Sequence, residues 1–193
     1  MGFVPQQQAL MRSGAKAGDG IYVTGTLGDA GAGLKLIKKE LSAEEAITHE
    51  LHDRLNRPTP RVAAGLALRE LASAVIDISD GLSADLGHIL EASHVGADIM
   101  IEALPLSNAF RSLKLENAWQ LAVSAGDDYE LCFTVPAERE QSVQQQLDTK
   151  GIQWTRIGVI TSQPGLRWHD KAGNELSLTN SGYDHFSQSR GSQ

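Results

Sequence analysis

The sequence predicts an α/β (α+β) domain, a layered unit in which helices flank a mixed β-sheet. Three observations carry that prediction. Short apolar runs bounded by glycine and polar turns alternate with longer stretches of helical period, so strands and helices are interleaved. The last three strand candidates are separated only by turns, whereas parallel neighbours need a crossover; a mixed sheet follows. The chain's 193 residues, 41% of them hydrophobic, suffice for one domain with a real core.

The elements follow in order. Ser13 to Gly20 is turn chemistry, and Ile21 to Gly25 is a short strand. Gly28 to Lys39 reads as a helix that offers Leu34, Leu36 and Ile37 to the core; Gly31 and Gly33 weaken it, by about 1 kcal/mol each, unless a close packing contact requires them. Ser42 with Glu45 three residues later has the spacing of a capping box, predicting a helix over Ala43 to Leu55 that Arg57-Pro58-Thr59-Pro60 breaks. Arg61 to Leu71 is apolar nearly all round, which predicts a buried helix. Ala74 to Ile76 is a buried strand, and from Asp80 a helix sets Leu82, Leu86, Ile89 and Leu90 on one face. Ala97 to Glu102 alternates as a strand, and Leu104-Pro105-Leu106 leads into one or two short helices through Val123. In Tyr129 to Val135, Tyr129, Leu131, Phe133 and Val135 face one way and Glu130, Cys132 and Thr134 the other. Pro136 opens a polar helix to Thr149, and Ile152 to Ile160, Leu166 to His169 and Glu175 to Leu178 are the closing strands.

Charge and composition narrow the function. A net charge of -7 argues against a general nucleic-acid binder, which shows a basic face; it suits either a metal-dependent site or an ordinary acidic surface. The single Cys132 excludes an intrachain disulfide and any multi-cysteine metal site, and points to a reducing cytoplasm. No apolar run approaches the ~18 residues of a membrane span. Met1 to Pro5 reads like the middle of a longer protein, and residues 187–193 like a loose tail.

Two acidic turns carry the chemistry. Asp77-Ile78-Ser79-Asp80-Gly81-Leu82 closes a strand and opens a helix, with Ser79 or Asp80 as the N-cap. Carboxylates beside a helix N-terminus suit a hard cation carrying phosphate; a plain capping motif is the competing reading. Ala125-Gly126-Asp127-Asp128-Tyr129-Glu130 places adjacent acids before a strand, a repulsion that a cation or a donor-rich ligand relieves, as solvent also can. Gly25 to Gly31 is neither GxxxxGK[ST] nor GxGxxG, so it reads as a tight turn with close helix packing. The histidines do not cluster, Cys132 reads as buried packing, and Arg12 is either solvated or an anion contact.

Several of these segments together resemble the C-terminal half of the thiamine-monophosphate kinase family, within the superfamily of aminoimidazole ribonucleotide and selenophosphate synthetases. They are Arg12 to Asp19, Val23 to Gly28, Asn56 to Arg61, Ala74 to Leu86, Ala125 to Phe133 and Gly182-Tyr183-Asp184-His185-Phe186. The resemblance implies a fold like the C-terminal domain of aminoimidazole ribonucleotide synthetase over residues 1–186. It implies direct transfer of the γ-phosphoryl of ATP to thiamine phosphate, several Mg²⁺ ions, a homodimer, and ATP held largely by an N-terminal half that this sequence lacks. By position, Asp77 and Asp80 correspond to metal ligands, Ser79 and Arg12 to nucleotide contacts, and Asp127 and Tyr183 to contacts with the thiamine moiety. The isolated chain is then expected to be inactive. Two alternatives stand beside this: half of another ATP-dependent synthetase of the superfamily, or a non-catalytic binding or assembly module.

Overall fold

The computed structural model describes residues 4–6 and 8–178. Tyr183, its surrounding motif and the tail 187–193 lie outside the described residues. Among the described residues, seven strands form one sheet: β1 (Gly20–Thr24), β2 (Ala74–Asp77), β3 (Gly96–Met100), β4 (Leu131–Val135), β5 (Trp154–Thr161), β6 (Gly165–His169) and β7 (Glu175–Leu176), in the order β2-β4-β1-β5-β3-β6-β7. Among these described strands β3 and β6 pair in parallel and the other pairs are antiparallel, so the sheet is mixed as predicted. The helices are α1 (Asp29–Ile37), α2 (Glu45–Asn56), α3 (Val62–Leu68), α4 (Leu82–Ser93), α5 (Asn108–Ser112), α6 (Ala118–Ser124) and α7 (Glu140–Thr149).

Apolar side chains cover one face of the sheet, and the other face over β2, β4, β1 and the start of β5; at β3 and β6 that second face instead carries Asp98, Arg167 and His169, joined as ion pairs. Ile21, Val23, Cys132, Ile99 and Trp168 pack with Leu51, Phe110, Val123 and the α4 stripe Leu82, Leu86, Ile89 and Leu90. Tyr22, Phe133 and Val135 point the other way, against Ala64 and Leu68 of α3 and Val143 and Leu147 of α7. Tyr22 stacks on Phe133 with ring centroids 5.5 Å apart. The predicted alternation of Phe133 against Cys132 thus feeds two cores, and Cys132 is buried, which pushes its thiol well above the usual range and leaves it a packing residue.

The glycines of α1 are explained by close approach. A Cβ on Gly33 would lie 2.5 Å from the Leu51 carbonyl oxygen of α2, and one on Gly31 would strike Ala125. Backbone atoms cannot swing aside, so Gly33→Ala is expected to cost about 1–3 kcal/mol, measured as a lower urea midpoint.

Several local expectations are corrected. The residue before α2 is Glu44 and no side chain caps it, so the Ser42/Glu45 spacing is not used as a capping box. The helix at Arg61 is shorter than its apolar pattern and is not buried all round: Val62 and Leu66 are exposed, because only one side of α3 meets the sheet. Leu36 enters the core, but Leu34 and Ile37 are exposed, since α2 packs against only one face of α1. Tyr129 precedes β4 at φ 50° and is exposed rather than continuing the strand's inner face. The strand after Gly96 ends at Met100 in a 3₁₀ turn, and Ala137–Arg139 forms another before α7.

Candidate functional site

Antiparallel pairing builds the site. β2 runs against β4 with Asp77 opposite Leu131. Hydrogen bonding continues past both strands: Ile78 N–H donates to the Glu130 carbonyl (2.8 Å), Tyr129 N–H to that of Ile78 (2.9 Å), and Asp127 N–H to that of Ser79 (3.0 Å). The two acidic turns, nearly fifty residues apart in sequence, therefore lie side by side. Two glycines permit the crossing. A Cβ on Gly126 would strike the Ser79 carbonyl, and Gly81, at φ 107°, would press one to 2.9 Å from the Ser124 carbonyl.

Ser79, Asp80 and Asp127 line a cleft of about 1000 Å³, walled on its other sides by Leu34 and Lys35 of α1 and Leu121 of α6. Asp77 stands exposed at the end of β2, outside the cleft lining. Arg12 is not brought to this place. Its carbonyl accepts from the hydroxyl of Ser93 at 3.5 Å, and the following Gly14 and Ala15 N–H groups donate to the same hydroxyl. Ser93 ends α4, whose twelve residues separate it by about 18 Å from the turn at the helix's start. Among the described residues, no group of three or more His, Cys, Asp or Glu side chains is arranged to hold a metal ion.

The cap predicted at Ser79 or Asp80 is not formed, because α4 begins later than the turn's polar residues, at Leu82. Gly81 precedes α4 and no side chain caps it. Asp85, in the first turn of the helix, instead reaches back to the preceding turn: its Oδ2 accepts from Ser79 N–H (2.9 Å) and Asp80 N–H (3.0 Å). Burial, helped by the charges of Asp80 and Asp77, pushes the Asp85 carboxyl above its ordinary range although both N–H bonds oppose that. A carboxylate four residues into a helix, on the flank of its apolar stripe, is the sequence signal that marks Asp85.

The paired acids of the second turn have opposite fates. Asp127 faces the cleft, while Asp128 is buried and accepts from the backbone N–H of Gly28 (2.7 Å) and Ala30 (3.3 Å) at the start of α1. That helix end, which follows the glycine turn Gly25 to Gly28, is thereby already occupied by a carboxylate. Asp127 at φ 67° and Tyr129 at φ 50° hold the left-handed conformations that let neighbouring side chains diverge.

Burial pushes the Asp128 carboxyl up to about 7, against the pull of its two N–H donors. The folded chain therefore holds this proton more tightly than the unfolded chain does, so the associated stability is present in acid and is lost as pH rises toward and through 7. Stability to urea is expected to fall by of order 2 kcal/mol from pH 5.5 to pH 8 through this group, and Asp128→Asn should flatten that slope.

Behind the turn, Glu130 anchors β4. Its buried carboxylate accepts from Thr24 Oγ1 (2.6 Å), from Arg61 Nε and Nη2 (both 2.5 Å) and from Arg54 Nη2 (3.1 Å). Arg54 Nε also approaches Asp29 to 3.4 Å; that contact is electrostatic, since this N–H finds no hydrogen-bond acceptor among the described residues. Nothing local in the sequence marks Glu130, Arg54 or Arg61 as partners.

A three-layer mixed-sheet domain with an acidic double turn at one sheet end defines the class. The family described as AIR synthase related protein, C-terminal domain, matches residues 16–171, and the chain belongs to it. Within that class it is similar to thiamine-monophosphate kinases. The Escherichia coli (strain K12) enzyme is 46% identical over 187 residues, covering 96% of this chain and 58% of the relative. The crystal structure of thiamine-monophosphate kinase from Stenotrophomonas maltophilia K279a superposes with a TM-score of 0.80 at 42% identity, over 88% of this chain and 55% of that one. AaThiL complexed with AMPPCP and TMP superposes with a TM-score of 0.77 at 35% identity, over 92% and 54%. The chain thus spans less than two thirds of the relatives it matches.

Proposed function

We propose that this chain is the C-terminal part of a thiamine-phosphate kinase of the cytoplasm, providing one wall of a site for Mg²⁺, ATP and thiamine phosphate. One observation carries the reading: β2–β4 pairing sets both acidic turns together at the rim of a cleft, in a chain with the sequence likeness given above.

In the proposed reaction the bond between the terminal phosphorus of ATP and its bridging oxygen breaks, ADP leaves, and a phosphate oxygen of thiamine phosphate bonds that phosphorus to give thiamine diphosphate. Bound Mg²⁺ would supply charge neutralisation on the phosphates. The donor set fits the ion: Mg²⁺ takes one or two carboxylates with water and substrate phosphates rather than an all-protein cage, and Asp77 and Asp80 are two exposed carboxylates on one turn. Ser79 would contact the nucleotide through its hydroxyl, and Asp127 the thiamine moiety from the cleft. Arg12 is assigned to the nucleotide and Tyr183 to the substrate ring by resemblance alone. Phosphoryl transfer asks for positioning and electrostatics, so no covalent nucleophile is assigned. The nucleotide-binding N-terminal domain and the dimer belong to the complete enzyme in this reading, and the chain alone is inactive.

The test compares two proteins given Mg·ATP and thiamine phosphate: the chain alone, and the chain joined to the N-terminal part of the Escherichia coli relative that it leaves uncovered. Thiamine diphosphate and ADP in equal amounts are expected from the joined protein only. Turnover by the chain alone overturns the division of labour, and a folded joined protein that makes no product overturns the kinase reading.

A further inference from the structure

We propose that Asp85 is a positioning residue for the acidic turn: it holds the 77–82 backbone so that Asp77 and Asp80 face outward together and the turn receives a divalent cation rather than an anion. The inference rests on the cation role proposed above for Asp77 and Asp80.

The geometry is specific. Asp85 is 3% exposed, whereas Asp77 and Asp80 are exposed. A single oxygen of Asp85, Oδ2, takes both the Ser79 and the Asp80 N–H groups, and the Asp85 N–H donates to the Gly81 carbonyl at 3.0 Å. Side chain and main chain of one residue therefore clamp the turn from both ends.

Chemically, the clamp sets the sign of the turn. Consecutive backbone N–H groups ahead of a helix form a concavity that attracts phosphate. Here two of them are already spent on an internal carboxylate. The groups the turn leaves outward are the carboxylates of Asp77 and Asp80 and the hydroxyl of Ser79, all oxygen donors suited to a hard cation. Partners that orient a metal's ligands without touching it typically contribute about 10- to 100-fold in affinity.

The competing role is purely local, a first-turn carboxylate that only stabilises α4. Because both bonds end on one oxygen, Asp85→Asn can keep them through its amide oxygen while losing the charge; Asp85→Ala loses both. The experiment titrates Mn²⁺ into the ¹⁵N-labelled chain and follows paramagnetic broadening and hydrogen exchange of the amides. In the unmodified chain, broadening is expected to concentrate on residues 77–82 and the adjoining turn 125–130, and to be abolished by Asp80→Asn. Asp85→Ala is expected to need about tenfold more Mn²⁺ or above for the same broadening and to lose exchange protection at Ser79 and Asp80, while Asp85→Asn restores both. If Asp85→Ala does not fold, Asp85→Glu replaces it, since the extra methylene displaces the acceptor while keeping the charge. A folded Asp85→Ala or Asp85→Glu chain with the unmodified Mn²⁺ response overturns the positioning role alone. An unmodified chain with no broadening at the turn overturns the cation reading and the positioning role with it.

Discussion

Asp80→Ala, made in the joined protein, is expected to lower kcat by about a hundredfold or more while leaving the fold intact. The magnitude follows from the work assigned to this carboxylate: phosphoryl transfer is catalysed almost wholly by positioning and charge neutralisation, and losing one preorganised electrostatic group commonly costs about 10²–10³ in rate. The fold should survive because Asp80 is exposed and its side chain makes no hydrogen bond among the described residues; its backbone N–H, held by Asp85, is untouched by the substitution. Raising Mg²⁺ should recover part of the lost rate, since a weakened ligand set is filled by mass action. A variant with unchanged turnover and unchanged Mg²⁺ dependence would remove Asp80 from the site and favour a non-catalytic role for the domain.

Glu130→Ala should act in the opposite way, through stability. Its carboxylate is 1% exposed and is the common acceptor of Arg54, Arg61 and Thr24, and Thr24 in turn accepts the N–H of Leu131. Removing it takes from both guanidinium groups the carboxylate that accepts their hydrogen bonds. Breaking a buried pair by deleting one partner typically costs about 3–5 kcal/mol, a loss expected to lower Tm by about 10 °C in a domain of this size. Glu130→Gln should cost less, because one acceptor oxygen remains. The measurement is thermal or urea unfolding followed by circular dichroism. A change below about 1 kcal/mol would mean that Arg54 and Arg61 find other acceptors at once, as surface pairs do.

Local features of the fold were legible to different degrees. The strand, turn and helix around Asp77 to Leu82 were readable, because an apolar run, a turn glycine and a heptad-like stripe each constrain a few neighbouring residues. The same local logic fails at α3, whose apolar residues lie at every angle while Val62 and Leu66 remain exposed. It also placed a cap at Ser42 that the chain does not use, since the turn before α2 reaches helical geometry only at Glu45. Of the site residues, Ser79, Asp80 and Asp127 meet at one cleft, Asp77 stands beside it, and Arg12 sits at the far end of α4.

What sequence alone determined was the alternation of strands and helices, the mixed sheet, the burial of Cys132 and the two acidic turns, all properties of residues within a few positions of one another. Tertiary structure alone decided which carboxylates face the cleft and which are buried in the fold. Asp127 and Asp128 are neighbours of the same type, yet one faces a cleft and the other closes a helix end 100 residues earlier in the chain, and Glu130 finds Arg61 across 69 residues. The physical reason is that a buried charge is tolerable only beside donors that satisfy it, and those donors arrive through strand pairing and helix packing rather than through local sequence.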